Sequence, residues 1–166
     1  MADAGLGALV IAGRGVISQY GYLEYVTGWC PIIRLGYAVL VPGREPVMVM
    51  PTASDAYYAR EATGFSDVRV GGQGDVISDH DGVPEGVAAV LAEHGVARGR
   101  VGVVGLQHII AAYDFDALRA AAPEAEFTDA TAMISELKAV KTADEVREVL
   151  RSGEIADAGM RVVMDR

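Results

Sequence analysis

The chain has 166 residues, 51% of them apolar and 22% charged, enough to bury the core of one ordinary domain plus an appendage. Its 14 basic and 23 acidic residues leave a net charge of −9, which argues against a phosphate backbone as partner. A single cysteine, Cys30, excludes an internal disulfide. The apolar run Leu6–Ala12 is too short to span a bilayer, and Asp3 stands where a signal peptide carries basic residues, so a cytoplasmic protein with no nucleic-acid or membrane partner is expected.

In chain order, Leu6–Ala12 reads as a short buried strand ended by Gly13-Arg-Gly15. The stretch from Ile17 to Trp29 is mixed and turn-rich, with Tyr20, Tyr22 and Tyr25 crowded before Gly28. Tyr37–Val41 and Pro46–Met50, joined by Pro42-Gly43-Arg44-Glu45, predict an antiparallel hairpin. Thr52 or Ser54 can cap a helix through Ala62 that Gly64 closes, and Asp67–Val70 follows as a brief strand. Gly71–Val83 reads as a loop.

The second half is more regular. Pro84 suits the first turn of a helix that turns Val87, Val90 and Leu91 inward, with Gly95 in the C-cap place. Arg100–Leu106 is a strand of the kind covered on both faces. A helix over Tyr113–Ala122, a strand at Ala125–Phe127 and a helix starting at Asp129 or Thr131 come next. Alternating strands and helices predict parallel pairing, and the early hairpin makes the sheet mixed.

The tail begins with a strong start signal. Thr142-Ala-Asp-Glu145 has the form of a capping box, in which Thr142 accepts from the third helical amide and Glu145 reaches back to the amide of Thr142. Val146, Val149, Leu150, Gly153, Ala156, Met160, Val163 and Met164 recur at steps of three and four and make one apolar or small face. Asp144 with Arg147, Glu148 with Arg151 and Asp157 with Arg161 place opposite charges within a turn. No C-cap glycine or trailing proline stops this helix, so its apolar face is expected to pack on further chain beyond Arg166.

Residues able to carry chemistry are scattered. Gly13-x-Gly15 follows a strand as a dinucleotide loop would, but Ser18 replaces the third glycine and no acidic residue closes the second strand. Gly71-Gly72-Gln73-Gly74 lacks the Lys-Ser/Thr ending of a phosphate loop. Asp79-His80-Asp81 offers three adjacent donors that rarely converge on one ion, so a solvated loop is the better reading. His94 falls at a helix end, and Cys30 in Trp29-Cys-Pro31 reads as a small buried thiol. His108 follows an apolar strand, where α/β proteins present functional groups. These residues form no complete catalytic set and no metal site, and a domain that positions something else fits better.

Several segments together resemble one family. Tyr25-Val-Thr-Gly28-Trp29, the strand pair Gly36–Pro42 and Pro46–Pro51, the strand Arg100-Val-Gly-Val-Val104 and the junction Ile134-Ser-Glu-Leu-Lys138-Ala-Val-Lys141-Thr-Ala-Asp-Glu145-Val-Arg147 occur in the order found in creatinase/prolidase amino-terminal domains. Lys138 stands where that family usually has arginine, and Ser152-Gly153 where it tends to have alanine.

The resemblance implies a three-layer α/β/α domain with a mixed, mostly parallel sheet and a ribonuclease H-like motif over residues 1–131, then linker helices over 132–166 leading to an absent catalytic domain. It implies the non-catalytic front of an Xaa-Pro dipeptidase, aminopeptidase P or creatinase-type hydrolase. The two divalent metals of such enzymes, Mn, Co or Zn, are held by the carboxy-terminal half, so this chain would carry no cofactor. Such a domain helps build a homodimer and restricts substrate entry. Trp29 and Arg34, on the segment from Gly28 to Arg34, and His108 are the candidates for bordering that entrance. The plainer alternative places Trp29 in the core and leaves Arg34 a solvated charge. A competing class is a stand-alone nucleotide- or small-ligand-binding domain using Gly13–Ser18 and the His108 region.

Overall fold

Strand β1 (Ala8–Arg14) is buried over nearly its whole length, because every residue from Ala8 to Ala12 is apolar and both faces of the sheet are covered at this point. The structure, a computed structural model, describes residues 1–15, 21–72 and 82–165. Ser18, Gln73-Gly74 and the Asp79-His80-Asp81 triplet lie outside the described residues.

On one side of β1 the chain returns antiparallel as β2 (Leu35–Leu40) and again as β3 (Val47–Met50), the expected hairpin. β4 (Val68–Val70) adds to β3 in parallel. On the other side β5 (Arg100–Val104) and β6 (Glu126–Asp129) join in parallel, so the order is β4-β3-β2-β1-β5-β6.

The period of two along each strand sorts the core into two layers. Val10, Tyr37, Val39, Val47, Val49, Val101 and Val103 face one side. There they meet Val87, Val90 and Leu91 of α3 (Val83–Glu93) and Leu118 of α4 (Ala112–Ala121). Ala38, Met48 and Met50 face the other side and meet Leu23 of α1 (Gly21–Thr27) and Ala56 and Ala59 of α2 (Ala53–Thr63). This is the three-layer α/β/α arrangement with a mixed sheet that the strand and helix pattern predicts. Each large side chain sealed between these layers contributes about 2 kcal/mol of hydrophobic stabilisation.

Among the departures from the sequence reading, two concern β1 and the helix packed on it, while β5 ends at Val104 and β6 runs Glu126–Asp129. β1 does not stop at Gly13 but runs through it, paired with Gly36. A β-carbon on Gly13 would lie 2.4 Å from Cβ of Leu23, so the glycine is what lets α1 settle on the strand. The turn-rich stretch before Gly28 contains that helix, whose formation depends on burying Leu23 more than on local propensity.

By its contacts the chain divides into two compact units, Met1–Ala132 and Met133–Arg166. The second holds most of α5 (Thr131–Ala139) and all of α6 (Ala143–Met164). The capping box is complete: Glu145 N–H donates to Thr142 Oγ1 at 3.2 Å, and Thr142 N–H donates to the Glu145 carboxylate at 2.7 Å. Of the expected charge pairs, Arg147 reaches Asp144. Glu148 with Arg151 and Asp157 with Arg161 form no ion pair among the described residues, in keeping with the few tenths of a kcal/mol, ~0.3, that such exposed pairs contribute. No residue of α6 is buried.

Candidate functional site

The segment from Gly28 to Arg34 is built by the end of α1. Thr27 Oγ1 donates to the carbonyl of Leu23 at 2.7 Å and accepts from Trp29 N–H at 3.0 Å. Gly28 takes φ +72°, a left-handed value that closes the helix, and its amide reaches the carbonyl of Glu24 at 2.7 Å. Thr, Gly and Trp at 27–29 are thus one device: a hydroxyl that turns back, a residue free to take positive φ, and a ring that follows the turn inward. Trp29 is 7% exposed and packs in the core layer with Met48 and Met50.

Beyond Trp29 the loop lies across the end of β1. A β-carbon on Gly15 would sit 2.2 Å from the carbonyl carbon of Ile32, so only glycine admits the loop at this distance. Ile32 and Ile33 then turn outward, 64% and 65% exposed. Cys30 is half-buried, and burial first, then the Glu24 carboxylate, pushes its thiol above the ordinary value. A protonated thiol is a poor nucleophile, in line with a packing role.

Arg34 closes the loop and is not the solvated surface charge of the plainer reading. Its Nη1 donates to Asp55 Oδ2 at 3.1 Å, and both side chains are largely covered. The same carboxylate oxygen accepts from Thr52 Oγ1 at 2.6 Å, while Thr52 caps α2 by accepting from Asp55 N–H at 3.1 Å. Arg34 therefore ties the loop to the amino end of α2. Its Nε and the indole Nε1 of Trp29 are buried with no hydrogen-bond partner among the described residues.

His108 is exposed in the turn after β5, with its ring 6.2 Å from that of Tyr22 and inclined at 47°. Trp29 and Arg34 share one loop, whereas His108 is placed by a different strand and faces α1. Asp55, Ile32 and Ile33 are absent from the sequence candidates. Two adjacent isoleucines after a proline could have signalled an outward-facing pair, but nothing local marks Asp55 as a partner 21 residues away from Arg34.

At the carboxyl end of β1, Arg14 donates to Asp114 of α4 at 3.2 Å, with Asp114 almost fully buried. The glycines of the possible dinucleotide loop are accounted for by packing against Leu23 and Ile32. Among the described residues no group of three or more His, Cys, Asp or Glu side chains is placed to hold a metal ion. No helix among the described residues is long and apolar enough to cross a membrane.

The family model described as the creatinase/prolidase N-terminal domain matches residues 1–140. No curated protein sequence matches the chain. Among solved structures, the N-terminal domain of the cytoplasmic peptidase PepQ from Mycobacterium tuberculosis superposes with a TM-score of 0.60 at 19% identity, over 82% of this chain and 90% of that one. The X-Pro aminopeptidase of Thermotoga maritima gives 0.75 at 14% identity, over 98% of this chain and 42% of that one. The dipeptidase of Pyrococcus horikoshii gives 0.69 at 17% identity, over 99% of this chain and 41% of that one. At these identities the structural likeness is one of fold.

Proposed function

The chain belongs to the creatinase/prolidase N-terminal domain family, and on that premise we propose that it is the non-catalytic front of an Xaa-Pro peptidase-like, metal-dependent hydrolase, shaping substrate access to a catalytic half. One observation carries this reading. The matched share of this chain rises from 82% against an isolated N-terminal domain to 98% and 99% against two longer peptidases, of which it spans 42% and 41%. The exposed apolar side chains along α6 support the same view, because such a face wants a second surface to cover it.

The catalytic half would supply the donors for two divalent metals, Mn, Co or Zn, which activate water for attack on a C–N bond. This chain would supply shape. Ile32 and Ile33 form the outward rim of the loop, Trp29 anchors it, and Arg34 is oriented by Asp55 with one guanidinium N–H still to be satisfied. The part of the guanidinium left exposed suits a carboxylate of the substrate or of a second subunit. A cytoplasmic homodimer is the assembly this reading entails, with His108 bordering the entrance from the turn after β5.

The test is kinetic and uses the complete gene product containing this chain. Hydrolysis of an Xaa-Pro dipeptide is expected to require added metal, and residues 1–166 alone are expected to show none. Ile32→Ser with Ile33→Ser should shift the ratio of KM for dipeptide against longer substrates by about threefold or more while kcat stays constant, the signature of lost binding without lost chemistry. Hydrolysis by residues 1–166 alone, or no metal-dependent cleavage of proline peptides by the complete product, overturns the reading.

A further inference from the structure

β6 is the last strand of the sheet and is paired on one side. The amides of Glu126 and Ala130 donate to the carbonyls of Gly99 and Val103 at 3.0 and 2.9 Å. Successive residues of a strand turn their backbone groups to alternate sides, so the N–H and C=O of Phe127 lie along the outer edge.

Beside that edge lies an open groove of about 790 Å³, lined by Phe115, Asp116, Arg119, Pro123, Glu126 and Phe127. Its apolar part is a pair of rings, Phe115 and Phe127, meeting edge to face with centroids 6.2 Å apart and planes at 73°. The Arg119 guanidinium sits 5.9 Å from the centroid of Phe115.

The charges around the groove divide into compensated and uncompensated. Arg98 holds Glu124 at 3.0 Å, and Arg100 lies 3.6 Å from Glu126. Asp116, Asp129 and, over the Phe115 ring, Arg119 enter no ion pair among the described residues, which leaves the acids in excess. The carboxylate of Asp129 instead accepts from Thr131 N–H at 2.9 Å, at the end of the strand.

We propose that this edge accepts an extended peptide as an added strand. An apolar side chain of that peptide seats against Phe115, Pro123 and Phe127, and a lysine or arginine two residues along meets Asp129. Side chains two apart share a face, so a peptide alternating apolar and basic residues on one face matches Phe127 and Asp129 in register. Backbone pairing supplies the affinity and the aromatic pocket the register. A second copy of this chain is the poorer occupant. β6 laid against its own equivalent offers Asp129 no cation, because Glu126–Asp129 contains neither lysine nor arginine. Asp116 and Asp129 thus favour a basic partner over a second copy.

The test uses residues 1–166 and a fluorescent hexapeptide that alternates leucine and lysine on one face, followed by anisotropy and by amide chemical shifts. Saturable binding is expected, with shifts centred on residues 126–129. N-methylating the peptide amides that face β6 should weaken binding by about tenfold or more, because those amides carry the pairing. Asp129→Asn, which keeps an acceptor for Thr131 N–H, should weaken the lysine peptide while leaving the melting temperature unchanged; undiminished binding by this variant overturns the pairing with Asp129. Equal binding of the N-methylated peptide, shifts centred elsewhere, or no saturation at millimolar peptide overturns the proposal. So does self-association through residues 126–129 seen by sedimentation with the same shift pattern. None of these outcomes depends on hydrolysis, so the proposal stands or falls apart from the peptidase reading.

Discussion

Arg34 and Asp55 belong to different elements, and their pairing gives a chemical reason for both. The carboxylate is held at once by the guanidinium and by the Thr52 hydroxyl, in a site where each ionic side chain is 15% exposed or less. Removing one member leaves the other charged and poorly solvated, a situation that costs about 2 kcal/mol or more, whereas removing both costs less than the sum. Arg34→Ala and Asp55→Ala are each expected to lower the urea-unfolding free energy of residues 1–166 by about 2 kcal/mol. The double variant should fall short of their sum by about 1 kcal/mol or more. Strictly additive losses would mean that the pair is incidental. At this scale the sequence was legible where the cause is local. Thr27-Gly28-Trp29 announces a helix end, and Gly64 announces another by taking φ +68°. It was mute where the cause is a partner far along the chain, as with Asp55, or the space under a neighbouring helix, as with Gly13.

Between elements, Arg69 of β4 is the clearest ionic tie. It donates to Asp67 at 2.8 and 2.6 Å and to Glu93 at the end of α3 at 2.6 Å. The hydrogen bonds from Arg69 hold both carboxyls below their ordinary values, and Asp67 followed by Glu93 raises the guanidinium in return. A carboxyl whose folded value is depressed stabilises the fold above its unfolded value, about 3.9 for Asp and about 4.3 for Glu, and that contribution disappears as pH falls through the lower folded value. The melting temperature of residues 1–166 should therefore drop more steeply below about pH 4 than that of Arg69→Met. Both groups are substantially exposed, so the difference is expected to be modest and to shrink in high salt. Parallel curves for the two proteins would remove the tie from the account. The elements themselves were well marked in the sequence, since the hairpin, the capping box and the helix after Pro84 each carry turn or cap chemistry that acts within four residues. β1 was misjudged at its far end because a glycine inside a strand looks locally the same as one that ends it, and only the pairing of Gly13 with Gly36 tells them apart.

At the level of the whole molecule, two kinds of surface coexist. The first unit seals its apolar side chains between sheet and helices, with Val10, Ile11, Val87, Val90 and Leu91 fully buried. Along α6, by contrast, Val149, Leu150, Ile155, Met160, Val163 and Met164 are each at least 60% exposed. Helix formation by itself does not require those residues, because an exposed helix is served as well by alanine, glutamate or lysine. What they add is apolar area, worth about 25 cal/mol per Å² once another surface covers it. If that surface is the catalytic half of a longer protein, accessibility at α6 must change with the protein's extent. Leu150→Cys, combined with Cys30→Ala to remove the native thiol, is expected to react rapidly with a maleimide in residues 1–166. In the complete gene product the same cysteine should react about a hundredfold more slowly, since a packed interface opens rarely. Circular dichroism of both forms checks that α6 is helical in each, so that slow labelling reports cover and not a change of fold. Equal rates in the two proteins would leave the apolar face of α6 without its proposed partner and would separate this chain's surface from the chemistry assigned to its parent.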